Sequence, residues 1–232
     1  TPVSDDVAER VQAAMAELKF APLAVARKLA TRRNFTLGLL VADKRGDLFG
    51  PLLRGIEDAL GPAGYDLLIS STERLSSSKL FPLGPHNTDG LLVFSDSLDE
   101  GELTKLYTMS FPVVLIHQTP PLGMRIPCVT VENKAASRKI VEHLITAHGR
   151  QRIVFLRGPE NQEDSRWREM GYQAALDAQG IACDPALVMP GEFERTVARA
   201  SVDELLKRGV EFDAVFAGDD EAAVGVLAAL QE

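Results

Sequence analysis

From Phe35 onward, short apolar runs alternate with longer stretches in which apolar residues return every three or four positions. The runs are Thr36–Val41, Tyr65–Ile69, Gly90–Phe94, Val113–His117, Val129–Val131, Ile153–Leu156, Leu187–Met189 and Ala214–Ala217. Between most of them lie helical patterns: Pro51–Leu60, Leu103–Met109, Lys134–Ala147, Arg166–Gln179, Thr196–Lys207 and Glu221–Leu230. Strands that are apolar without a polar alternation are buried on both faces, and a helix between strands is the crossover that parallel neighbours need. The pattern predicts an α/β fold with two parallel-sheet subdomains and a boundary near residues 130–135. The link from Thr72 to Asp89 breaks the rhythm, being rich in Ser, Pro and Gly without a convincing helix.

The first 33 residues read differently. Ser4 is a good N-cap, Asp5 and Asp6 fill a first turn, and Val7, Val11, Ala14, Met15 and Leu18 recur at helical spacing. Pro22 ends that helix and can open a second, short one through Ala30. Isolated, so short a helix is unstable in water. Residues 1–33 carry six basic and four acidic side chains, whereas the remaining 199 carry 19 basic and 29 acidic. No acid occurs from Leu18 to Ala42. A cationic arm on an acidic body points to polyanion contact by the arm alone.

Composition excludes several classes. At 45% hydrophobic and 25% charged residues, the chain is an ordinary globular sequence rather than a disordered or fibrous one. No apolar run approaches the ~20 residues of a membrane span, and no basic-then-apolar leader is present, so a cytoplasmic protein is expected. Cys128 and Cys183 are too few for a disulfide framework, and four scattered histidines do not suggest a metal site. The sequence has no GxGxxG after a strand, no GxxxxGK[ST], no GxSxG and no HExxH, so neither a cofactor nor catalysis is expected.

Open α/β sheets bind ligands at the carboxyl ends of their strands. Those positions hold Asp43, Ser71-Thr72, Ser95-Asp96, His117-Gln118, Glu132-Asn133, Gly158-Pro159, Gly191-Glu192-Phe193 and Gly218-Asp219-Asp220, with Phe49 also near. The collection suits a polar small molecule held in a cleft between the subdomains. Asp219-Asp220 also reads as a helix N-cap with a first-turn acid. His117 is the one histidine at a strand end. His143 and His148 have the wrong spacing for a shared helix face, and Trp167 suits a core or interface role as well as a ligand. Arg168 follows the loop Gly158–Asp164 on a helix that brings a guanidinium within reach of the cleft.

Several segments together resemble the LacI/GalR family of bacterial transcription regulators. They are Val3–Val11, Glu17–Pro22, Ala24–Arg32 and Thr36–Val41, continued by Leu53–Glu57, Asp89–Leu92, Arg166–Tyr172 and Asp213–Gly225. The resemblance implies four parts: the last helix of a DNA-binding headpiece at 1–20, a hinge helix and linker at 21–33, an N-terminal core subdomain at 34–132 and a C-terminal one at 133–232. The core is expected to be of periplasmic-binding-protein-like type.

The same resemblance implies operator DNA, a carbohydrate-like effector and a homodimer as partners, and a repressor as the activity. At the hinge, Leu29 matches a leucine that wedges a base step open in the minor groove. Ala26 and Ala30 lie beside it, and Arg27 and Arg32 are set to meet phosphates. The implied effector residues are Phe49, His117, Arg168, Phe193 and Asp219. His117 stands where the family usually has aspartate, Gln118 where arginine is frequent, and Asp219 where asparagine is common. The resemblance also implies that the helix-turn-helix start and the returning C-terminal strands lie outside the sequence. A sugar receptor without DNA binding shares the core pattern, and an α/β enzyme would have to draw on the cleft carboxylates and His117.

Overall fold

A computed structural model describes residues 4–18, 31, 33–42, 48–72 and 82–231. The amino-terminal helix α1 spans Asp5–Glu17, with Val7, Val11 and Leu18 exposed. The hinge residues Ala26, Arg27, Leu29, Ala30 and Arg32 lie outside the described residues, as does Asp43.

The first subdomain is a sheet of β1 (Thr36–Val41), β2 (Asp66–Ser71), β3 (Gly90–Phe94), β4 (Val113–Ile116) and β5 (Cys128–Val129), in the order β2-β1-β3-β4-β5. All of its pairings are parallel. Because side chains alternate across a strand, β1 sends Leu40 to one face and Leu39 and Val41 to the other. Helix α2 (Phe49–Leu60) covers the Leu39 face with Phe49, Leu53 and Ile56. Helix α3 (Glu100–Thr108) covers the Leu40 face with Leu103 and Leu106. Within the link that breaks the rhythm, residues 82–88 form turns, and Leu83 and Thr88 are buried.

The second subdomain holds β6 (Ile153–Arg157), β7 (Val188–Pro190) and β8 (Ala214–Ala217), parallel in the order β7-β6-β8. Helices α4 (Asn133–His148) and α5 (Glu163–Ala178) pack Val141, Tyr172 and Leu176 onto Ile153 and Phe155. Helices α6 (Arg195–Lys207) and α7 (Asp220–Leu230) pack Val202, Leu205 and Val226 onto Val154 and Leu156 from the other side. The two-subdomain parallel architecture expected from the alternation is therefore present. No helix among the described residues is long and apolar enough to cross a membrane.

Two helices start three residues earlier than their apolar pattern. Helix α3 begins at Glu100, not Leu103, because Asp99 and Glu102 form a capping box: Glu102 N–H donates to Asp99 at 2.7 Å and Asp99 N–H to Glu102 at 2.9 Å. Helix α5 begins at Glu163, so Glu163 and Asp164 form its first turn instead of ending a loop. Carboxylates there meet the positive end of the helix dipole. That correction matters, because both side chains turn out to bridge the subdomains.

Candidate functional site

The carboxyl ends of β4, β6, β7 and β8 bring most of the expected residues together. His117 follows β4 directly, with its N–H bonded to the Val129 carbonyl at 2.9 Å and φ at 59°. Its Nδ1 lies 2.5 Å from Oδ2 of Asp164, at the start of α5 in the other subdomain. The second oxygen of Asp164 accepts from Asn133 Nδ2 at 2.7 Å. Asn133 Oδ1 in turn accepts from Arg168 Nε at 2.8 Å, and Arg168 Nη1 donates to the Gly218 carbonyl. A single polar chain therefore runs from the first sheet through Asp164 and Asn133 to the end of β8.

Aromatic rings border this chain on both sides. The Arg168 guanidinium lies 5.3 Å from the Phe193 ring centroid. That ring occupies the place where a Cβ at Gly158 would stand, and it comes within 3.2 Å of the Cβ position at Gly218. Glycine at 158 is thus the condition for Phe193 to sit there, whereas a Cβ at Gly218 would first meet the Leu156 carbonyl oxygen, at 2.6 Å. On the first subdomain, Phe49 is the opening residue of α2 rather than part of the preceding loop. It reaches the site through Phe94, whose ring centroid is 5.3 Å from that of Phe49 and 5.1 Å from that of His117.

Backbone strain concentrates here. Asp96, His117, Glu192 and Phe193 all have φ between 51° and 61°, a left-handed region that non-glycine residues seldom occupy. Such strain persists only where surrounding contacts over-determine it, and it gathers at functional sites.

Two carboxylates at the strand ends are held above their ordinary range. Burial pushes Asp219 up, opposed by the Ala222 N–H that its side chain caps at 2.8 Å; Asp220 adds repulsion and Arg168 relieves it. Asp219 is therefore the N-cap of α7, as one of its two sequence readings had it, and its second oxygen is left to accept from elsewhere. Burial likewise raises Asp96, against the Ser95 hydroxyl and the nearby Arg166 charge. Gln118, whose Oε1 lies 3.4 Å from the Asp96 nitrogen, has its Nε2 buried without a hydrogen-bond partner, as has Arg157 its Nε at the end of β6.

Other expectations resolve differently. His143 and His148, five apart on α4, do meet: their Nε2 atoms are 3.2 Å apart and their rings stand edge-on with centroids 4.9 Å apart. Among the described residues no group of three or more His, Cys, Asp or Glu could hold a metal. Trp167 is 39% exposed, with its indole N–H donated to Glu163 at 2.9 Å. A cavity of about 860 Å³ lies at the amino ends of β1, β3 and β4, lined by Leu37, Leu92, Phe111 and Val114. It is mainly apolar and lies at the strand ends opposite the polar chain.

Sequence reasoning did not single out Asp164 and Asn133 as site residues. The signal was available for Asn133, which follows a strand end, but the role of Asp164 depended on where α5 begins.

Two parallel α/β subdomains facing one another across a polar cleft define the class of periplasmic-binding-protein-like sensor cores. Residues 34–232 match the family described as periplasmic binding proteins and sugar binding domain of LacI family, and the chain belongs to that family of transcription regulators. It is 28% identical to the ribose operon repressor of Escherichia coli (strain K12) over 99% of its own length and 70% of that protein's. It is 30% identical to the transcriptional regulator GalR of the same strain, covering 96% of this chain and 65% of that one. Among solved structures, a complex of the transcriptional regulator CelR with cellobiose matches 99% of this chain and 70% of that chain, with 28% identity and a TM-score of 0.72.

Proposed function

We propose that this chain is the hinge and sensing core of a cytoplasmic, homodimeric repressor whose affinity for operator DNA is set by a carbohydrate-like effector in the cleft, and that it is not an enzyme. The observation that carries the reading is the convergence of Arg168, His117, Asp219 and Phe193 on one polar cleft between two subdomains. A ring face beside hydrogen-bonding groups suits a polyol, which has an apolar C–H face and hydroxyls around its rim. Phe49 supports the pocket through Phe94. Residues 34–132 and 133–232 are the two core subdomains in this reading, with 1–20 the last helix of the headpiece.

Residues 21–33 form the hinge. Leu29 enters the minor groove as a wedge, Ala26 and Ala30 allow close approach, and Arg27 and Arg32 meet phosphates. Effector and operator then act on one equilibrium, so each changes the affinity for the other by the same factor. The test uses the intact protein with a palindromic operator, titrated with ribose, galactose and cellobiose. Operator binding should fall steeply with salt and respond to one of these sugars. Arg168→Ala should weaken that sugar by at least about tenfold, or 1.4 kcal/mol. Leu29→Ser should weaken operator binding without altering sugar affinity. Absence of any preferred duplex, with or without the sugars, overturns the proposal.

A further inference from the structure

The two residues opening α5 do more than start a helix. Asp164 holds His117 at 2.5 Å, and its neighbour Glu163 holds Thr119, three residues past β4. Thr119 N–H donates to Glu163 Oε2 at 2.7 Å, and the Thr119 hydroxyl lies 3.0 Å from both carboxylate oxygens. Both carboxylates belong to the second subdomain and both of their partners to the first. Two consecutive residues on a rigid helix terminus therefore grip two positions of one loop, which resists rotation as well as separation. A single contact would leave rotation free.

Each grip has a second attachment within its own subdomain. Asp164 is fixed by Asn133, which also fixes Arg168. Glu163 is fixed by the indole N–H of Trp167, the only tryptophan in the sequence. The Asp164 and His117 side chains are only 13% and 18% exposed, so solvent competes poorly for the pair.

We propose that Glu163 and Asp164 form an inter-subdomain clamp on His117 and Thr119, which links the state of Arg168 to the angle between the subdomains. The inference rests on the regulator reading above for its consequence, and on geometry alone for the clamp. A ligand that engages Arg168 competes with Asn133 and Gly218 for the guanidinium. A change in Asn133 then reaches Asp164, the residue it shares with His117. Asp164 and Glu163 are positioning residues here, acting through their partners.

Trp167 supplies a direct readout, since it sits on the clamp but on the opposite subdomain from His117 and Thr119. In the intact protein, acrylamide quenching of Trp167 should rise about twofold in the His117→Ala/Thr119→Ala variant, with the far-ultraviolet circular dichroism retained. Thr119→Ser, which keeps the hydroxyl, should quench like the parent. Operator affinity in Glu163→Gln, which leaves His117 and the other cleft residues in place, should no longer change on adding whichever of ribose, galactose or cellobiose acts on the parent. If the double variant does not fold, Glu163→Gln serves instead; it leaves one acceptor oxygen for three donors, and its quenching should also rise. Unchanged Trp167 quenching in a folded variant overturns the clamp. Loss of operator binding by the parent overturns the regulator reading while leaving the quenching result to decide the clamp.

Discussion

Replacing Gly171 by alanine sets two effects of opposite sign against each other. Gly171 lies inside α5, and in an exposed helix interior alanine is better than glycine by about 1 kcal/mol. Here the added Cβ would meet the Lys134 carbonyl oxygen, the Ser137 Cβ at 2.8 Å and the Arg138 nitrogen at 3.0 Å, all on α4. Two of the three are backbone atoms, which cannot swing aside as a side-chain tip can. The helices must therefore separate by several tenths of an ångström or more, opening the packing around Val141 and Tyr172. Overpacking of this kind costs about 1–3 kcal/mol, and backbone obstruction places it at the upper end. Subtracting the propensity gain leaves a net loss of about 2 kcal/mol, or roughly 4–8 °C in Tm for a domain of this size. The same separation pulls Asn133 on α4 away from Asp164 and Arg168 on α5, so effector affinity should fall with stability. Thermal and urea denaturation of Gly171→Ala measure the first effect, and calorimetric titration of the active sugar the second. A Tm equal to or above the parent's would refute the reasoning, because it would mean the α4–α5 interface yields at no cost.

The remaining expectations concern single hydrogen bonds and one titration. Tyr172 is buried with its hydroxyl donated to the Ile153 carbonyl at 2.8 Å, so Tyr172→Phe should cost about 1–2 kcal/mol in urea denaturation; no loss would mean water or another donor replaces it. Burial raises the Glu163 carboxyl, but the bonds from Trp167 and Thr119 and the Arg166 charge outweigh that and leave it below its ordinary range. A carboxylate lowered on folding contributes stability that is present above its unfolded value, about 4.3, and is lost as pH falls through the lowered folded value. Trp167 quenching should accordingly be flat at neutral pH and rise on acidification below that point, and Glu163→Gln should remove the rise. Equal quenching of the parent and Glu163→Gln at neutral pH would show that Glu163 does not hold the indole.

Local pattern carried a great deal of this protein. The β1 run Thr36–Val41 and the β8 run Ala214–Ala217 were legible to the residue, because a continuous apolar stretch bounded by polar groups is buried wherever the chain goes. The N-cap role of Asp219 was legible too, since capping depends only on residues three or four apart. Arg168, Phe193 and His117 were readable as candidates from their places after strands, a rule of topology rather than of detailed packing.

What the tertiary structure alone decided is how those candidates connect. The bond between His117 and Asp164 spans 47 residues, and that between Arg168 and Gly218 spans 50. No local periodicity encodes which of several carboxylates at a helix start will face a particular imidazole. Nor could spacing reveal that Phe193 rests on Gly158 and Gly218, which requires the ends of β6 and β8 to lie side by side. Element type follows from short-range sterics and burial, which the order of residues specifies directly. The site depends on distances of a few ångströms between elements remote in sequence, and these exist only after both sheets have packed.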